Sequence, residues 1–169
     1  MARLALYSGL TLALLFALLF AVATAVLWAL EAPLWLALVV ALFFAGLQYA
    51  ISPFIIQWVH KIDWVTPDSI DSGIASLIRS VCHEQGLREP RFGVISDGNP
   101  NAFTFGHYPG NARVVITTGL LEVCDTEQRR AVVAHEMGHI IHWDFVVMTV
   151  AATVPLMLYY IYRLSLIHI

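Results

Sequence analysis

The chain has 169 residues, 59% of them hydrophobic and only 12% charged, whereas soluble proteins hold roughly 45–50% apolar and about 25% charged positions. That balance excludes a disordered chain and a plain cytosolic domain, and the net charge of −3 offers no basic field for a phosphate backbone, so nucleic acid is not an expected partner. The two cysteines, Cys82 and Cys124, lie far apart with no second C-x-x-C pair, which leaves neither a disulfide framework nor a cysteine zinc site. Both are expected as reduced, mostly buried thiols.

No charged side chain occurs from Leu4 to Leu30. As a helix rising about 1.5 Å per residue this run reaches roughly 40 Å, against about 30 Å of bilayer hydrocarbon. Glu31, Ala32 and Pro33 interrupt it, and a second uncharged stretch follows from Leu34 to Val59 with Ser52-Pro53 as a kink near its end. Residues 1–60 therefore predict a transmembrane helical hairpin. A cleaved signal peptide is the rival, because Arg3 gives a positive start and Ala23-Thr24-Ala25 resembles a cleavage site. Against it, the apolar run continues through Val26, Leu27 and Trp28, past the usual signal core of about 7–15 residues. Arg3 and Lys61 flank the pair while the turn offers only Glu31, so both ends are expected in the cytoplasm, where thiols stay reduced. His60, Lys61 and Trp64 are read as anchors at the membrane surface.

Residues 61–144 have the interspersed charges, glycines and turn signals of a globular domain. Thr66-Pro67-Asp68 predicts a helix start, and Ile70, Ile74, Leu77, Ile78 and Val81 recur at helical spacing until Gly86. Three short strands are expected next, over Phe92–Ser96, Ala102–Phe105 and Arg113–Thr117, separated by Asp97-Gly98-Asn99-Pro100 and Pro109-Gly110-Asn111.

Asp125 can then cap a helix with Gln128 in the reciprocal position. Within that helix Ala134-His135-Glu136-Met137-Gly138-His139 sets two imidazoles four residues apart, on one face and about one turn from each other, where they can share one metal ion. Zinc suits neutral imidazole and tolerates an open position for water. His135 and His139 are the expected ligands, and zinc would acidify the water it holds. Glu136, offset by one position, is the expected base, taking the proton of a water that attacks a peptide carbonyl and returning it to the departing amine. The bare pattern also arises by chance, as polar residues on a solvated helix face. Val132, Val133, Ile140 and Ile141 argue instead for a buried helix, in which buried histidines and a buried glutamate need partners. Gly138 is read as a point where another element approaches closely. Asp144 reads equally as an acceptor orienting a ligand imidazole and as a surface carboxylate. His142 is read as interfacial or core, and His107 carries no assigned role.

Asn101-Ala102-Phe103, Val115-Ile116-Thr117-Thr118-Gly119-Leu120-Leu121 and Ala131-Val132-Val133-Ala134-His135-Glu136-Met137-Gly138-His139 with Asp144, in that order, resemble the heat-shock membrane protease HtpX and its relatives, from the amino terminus to about Tyr162. The resemblance implies an α+β zincin-like metalloprotease domain, its HExxH helix packed on a small β-sheet, fused to transmembrane helices. It implies a multi-pass zinc endopeptidase of the inner membrane, its catalytic domain facing the cytoplasm. Its expected partners are the lipid bilayer and damaged, misassembled or unfolded polypeptide substrates. It assigns zinc ligation to His135 and His139 and the base to Glu136. It also implies that Arg113–Thr117 is an edge strand along which extended substrate lies, as β-strand addition allows. A third ligand is implied as a glutamate well downstream.

Phe145–Tyr162 is again uncharged and long enough for a span, so residues 145–163 are expected as a third, truncated transmembrane helix. Residues 164–169 match the translated mosaic end of a sequencing transposon and are expected to be a scar, with His168 assigned nothing. The polypeptide is accordingly expected to be a fragment without its third ligand, binding zinc weakly and cleaving nothing alone. With no helix breaker between His139 and Phe145, six residues of continuous helix place the metal roughly 9 Å from the third span. Two readings compete with the protease: a non-catalytic membrane-anchored scaffold, and an enzyme like the CAAX prenyl proteases, which resembles a many-spanning chamber.

Overall fold

The computed structural model describes residues 14, 17, 18, 20–22, 24–31, 33 and 35–151; part of the first expected span and most of the third, with residues 164–169, lie outside them. The chain divides into two compact units, residues 1–52 with 150–169 and residues 53–149.

Helix α1, Trp35–His60, is the one helix among the described residues that is long and apolar enough to cross a membrane, matching the second expected span. It runs through Pro53, where the ring removes a backbone donor. Ser52 Oγ donates to the Gln48 carbonyl one turn back. Trp35, Leu42, Phe43 and Phe44 are exposed along it, an apolar circumference that water does not favour and lipid does.

The second unit holds a four-stranded sheet, ordered β1-β2-β4-β3: β1 Asp63–Val65, β2 Arg91–Ile95, β3 Ala102–Phe105 and β4 Arg113–Thr117. β1 and β2 are antiparallel, β2 and β4 parallel, β3 and β4 antiparallel. β4 is therefore central and every residue of it is buried, which corrects the expectation that Arg113–Thr117 forms an edge. The edges are β1 and β3. β4 reads as Arg-Val-Val-Ile-Thr because a strand covered on both faces has no polar alternation. β1 was not expected: three residues are too short for a periodicity signal, and Trp64, read as an anchor at the membrane surface, lies in this strand under the Arg91 guanidinium, 4.3 Å from its ring.

Side chains alternate across the sheet. Val114 and Ile116 of β4 join Phe92 of β2 in a core with Ile74, Ile78 and Cys82 of α3, Ser72–Gln85, and Val133, Met137 and Ile140 of α5, Thr126–His142. On the other face the His60 ring lies 5.5 Å from Phe103, so the end of α1 contacts the sheet rather than serving only as an anchor.

The helix expected from Thr66 to Gly86 is two helices. α2, Pro67–Ile70, ends at Asp71, whose extended backbone (φ −161) breaks the run and whose carboxylate caps α3 by accepting from Gly73 N at 2.7 Å. Aspartate both halts and restarts a helix because its short carboxylate competes for backbone donors. Gly86 closes α3 at φ 63, as its left-handed tolerance requires. Both cysteines are free, Cys82 buried and Cys124 half-buried.

Candidate metal centre

Helix α5 begins with the capping box that the sequence predicts: Gln128 N donates to Asp125 Oδ1 and Asp125 N to Gln128 Oε1, both at 2.9 Å. Three turns on, one ligand-type atom from each of His135, Glu136 and His139 lies within 4.8 Å of the others. The two imidazoles meet edge to face with ring centroids 4.7 Å apart.

Burial is unequal, which corrects the picture of a wholly buried motif. Glu136 is only 7% exposed, whereas His139 is half-buried and His135 exposed. The helix turns its Val133, Met137 and Ile140 stripe to the sheet, so the imidazoles rise at the open margin of that stripe. The carboxylate of Glu136 is held by edge strand β3. Thr104 Oγ1 lies 2.9 Å from Glu136 Oε2 and 3.3 Å from the carbonyl of the same residue. A buried carboxylate without a donor is costly, and Thr104 supplies one to it.

Thr104 was not singled out by sequence. It stands on the core side of β3 beside buried neighbours, where alternation predicts an apolar side chain. That departure was the available signal.

Asp144 lies against the site. His139 Nδ1 is 3.0 Å from both Asp144 Oδ1 and Oδ2. On an unbroken helix, position 144 would stand about 140° around the axis from position 139, out of reach. The helix is not unbroken. α5 ends at His142, Trp143 adopts a left-handed conformation (φ 63), and helical backbone restarts at Asp144. This break corrects the expected continuous helix into the third span, and with it the straight-rise distance of the metal from that span. The break also accounts for the contact, because only a change of axis brings Asp144 back to His139. Nothing in the sequence foretold it, since tryptophan rarely takes positive φ.

Two further expectations change. A Cβ at Gly138 would meet no atom within 4 Å, so no described element makes the close approach read there. His142, read as interfacial or core, is exposed and so not core, and it stands outside the three clustered residues, as its non-ligand reading expects.

The remaining motif residues hold β3 in place. Thr117 Oγ1 donates to Asn99 O at 2.7 Å and accepts from Asn101 N at 2.9 Å, while Thr117 N donates to Asn101 O at 3.0 Å. Thr118 Oγ1 and Gly119 N both donate to Asp97 O, at 2.9 and 2.8 Å. A Cβ at Gly119 would fall 2.1 Å from Gly98 O, so only glycine lets the loop 97–101 lie on the start of α4, Thr118–Val123. The Thr-Thr-Gly and Asn-Ala-Phe segments are thus one joint that sets the position of β3, and β3 sets Thr104.

The profile of peptidase family M48 matches residues 69–169, which include the sheet strands β2 to β4 and the whole of α5. The chain belongs to peptidase family M48. It is 36% identical over 116 residues to "Protease HtpX homolog" of Methanothermobacter thermautotrophicus, covering 69% of this chain and 45% of that protein. It is 34% identical over 122 residues to "Protease HtpX" of Legionella pneumophila (strain Corby), covering 69% of this chain and 42% of that one. The chain thus spans less than half the length of these curated relatives, and within M48 it is HtpX-like. Among solved structures, the crystal structure of S. mikatae Ste24p aligns with 92% of this chain and 37% of its own, at a TM-score of 0.53 and 19% identity, a likeness of fold.

Proposed function

We propose that the protein of which this chain is part is a membrane-bound zinc endopeptidase, with one zinc ion held by His135 and His139 and with Glu136 as the general base. The observation that carries this reading is the convergence of those three side chains on α5, two of them tied from behind by Asp144 and Thr104. The donor set fits zinc: two neutral imidazoles with a carboxylate alongside, and an anionic acceptor on the far nitrogen of one imidazole.

When bound, zinc polarises the scissile carbonyl and acidifies water. Glu136 accepts a proton from the attacking water and delivers it to the leaving amine nitrogen. Thr104 occupies one carboxylate oxygen, which leaves the other for that proton. Asp144 accepts from Nδ1–H of His139, so the lone pair of Nε2 is the one offered for ligation. The free side of β3, rather than β4, is the edge available to an extended peptide, whose backbone it can pair without reading sequence. A downstream glutamate, as the HtpX resemblance implies, completes the ligand set.

The α+β domain of residues 61–144 is on this reading zincin-like. It stands between a hairpin in residues 1–60 and a third span in residues 145–163, faces the cytoplasm at the inner membrane, and takes damaged or unfolded membrane polypeptides as substrates. The test is cleavage of an unfolded protein by the complete gene product in native membranes. Glu136→Gln should retain zinc and lose at least about 100-fold in rate. Equal rates for the two would remove Glu136 from the chemistry, and zinc without any proteolysis in the unaltered protein would leave the scaffold reading.

A further inference from the structure

Away from α5, the sheet end formed by the starts of β2 and β4 concentrates positive charge that proteolysis does not use. Arg91 and Arg113 are register partners on these parallel strands. Their backbones are thus about 4.8 Å apart and their side chains leave the same face. With Arg88 they line a cleft of about 220 Å³, whose other walls include Glu89, Tyr108 and Asn111.

Both inner guanidiniums are held in place. Arg91 stacks on Trp64 at 4.3 Å. Arg113 lies 5.6 Å over the Phe105 ring and donates Nη1 to the carbonyl and Oδ1 of Asn111, at 3.2 and 2.6 Å. Among the described residues none of the three arginines is ion-paired with a carboxylate. Arg113 is nine-tenths buried, yet its Nε has no acceptor. Burial, and then the charge of Arg91, push its pKa below the usual arginine value. A buried donor without an acceptor and two adjacent like charges both cost free energy, and an anion in the cleft would relieve the second.

The fold narrows which anion. After β3 the chain passes Gly106, whose N–H donates to Thr149 Oγ1 at 3.2 Å, and His107, whose ring lies 6.2 Å from Phe54. Phe105 pairs with Arg113, so the two arginines sit at the end of the sheet where Phe54 and Thr149, the chain positions next to the apolar segments in sequence, are packed.

We propose that this cleft binds a phosphate group, supplied by the headgroup of an anionic phospholipid, with Arg91 and Arg113 as its donors and Arg88 as an outer charge. Two planar guanidiniums present paired N–H groups that match phosphate oxygens, and a headgroup is the phosphate source that stands where apolar helices leave a domain. The proposal is independent of zinc and of peptide cleavage, and rests only on the membrane-bound part of the preceding reading.

The test uses the purified full chain in bilayers of phosphatidylcholine with and without phosphatidylglycerol, with retained lipid counted by native mass spectrometry. Phosphatidylglycerol should be retained preferentially. The double variant Arg88→Gln, Arg91→Gln alters two exposed side chains and spares the buried arginine, and it should weaken retention roughly fivefold per arginine removed. Arg79→Gln, an exposed arginine on α3 paired with Asp68, should change nothing. Arg113→Lys keeps the charge but loses the fork, and should also weaken retention. Equal retention of the two lipids, or an unchanged double variant, would overturn the site. Binding of inorganic phosphate alone, with no gain from the lipid, would overturn the headgroup as its source. Failure of the chain to enter either bilayer is a distinct result that would overturn the membrane reading instead.

Discussion

Replacing Asp144 with alanine removes the acceptor of His139 Nδ1 and leaves α5 otherwise intact. Both carboxylate oxygens stand 3.0 Å from that nitrogen, and the side chains are 22% and 11% exposed for His139 and Asp144, so water replaces the lost acceptor poorly. Without it the imidazole can turn, and either ring nitrogen can carry the proton. Partners of this kind contribute about 10- to 100-fold to metal affinity, which is about 1.4–2.7 kcal/mol. The assay is competition for zinc between the detergent-purified chain and a chromogenic chelator, comparing the unaltered chain, Asp144→Ala and Glu127→Ala. Glu127 is an exposed carboxylate paired with Arg130 on the same helix, and its loss should leave affinity unchanged. Affinity of Asp144→Ala within twofold of the unaltered chain, with helical content preserved, would refute the claim that Asp144 orients the ligand.

Thr104→Val keeps the shape of β3 but leaves the buried Glu136 carboxylate short of a donor; it should lower stability by about 1–3 kcal/mol, read as a fall in unfolding midpoint, and an unchanged midpoint would show the hydroxyl to be dispensable. Asp71→Ala removes the cap of α3 and should cost about 1 kcal/mol, seen as early loss of protection in the amides of residues 72–75. The two glycines flanking the site chemistry should respond oppositely. Gly119→Ala drives a methyl into Gly98 O and should cost at least about 2 kcal/mol, whereas Gly138→Ala meets open space and should raise the midpoint by up to the equivalent of about 1 kcal/mol.

Local signals carried much of this molecule. The capping box at Asp125 and the stop at Gly86 rest on contacts within a few residues, and the three longer strands were legible as apolar runs between turn residues, β2 starting one residue earlier than expected, at Arg91. The pair His135 and His139 was legible for the same reason, because four residues on a helix determine a spatial relation. What was not legible depends on partners far along the chain. The resemblance implies that β4 is an edge, but strand order is set by which side β3 returns on, not by the residues of β4. The split at Asp71 was hidden by an apolar spacing that continues across it. The contact between Asp144 and His139 depends on a left-handed tryptophan, and the grip of Thr104 on Glu136 joins residues 32 positions apart. Residues 97–101 and 117–119 looked like two motifs and are one joint, visible only once Gly119 is seen against Gly98.

Zinc content of the purified complete gene product and its histidine variants tests the central claim most directly. One zinc per chain should be bound by the unaltered protein and by His142→Ala, and both His135→Ala and His139→Ala should lose it at the same chelator concentration. Equal zinc in all four, or loss confined to His142→Ala, would contradict a metal centre on the His135–His139 face of α5.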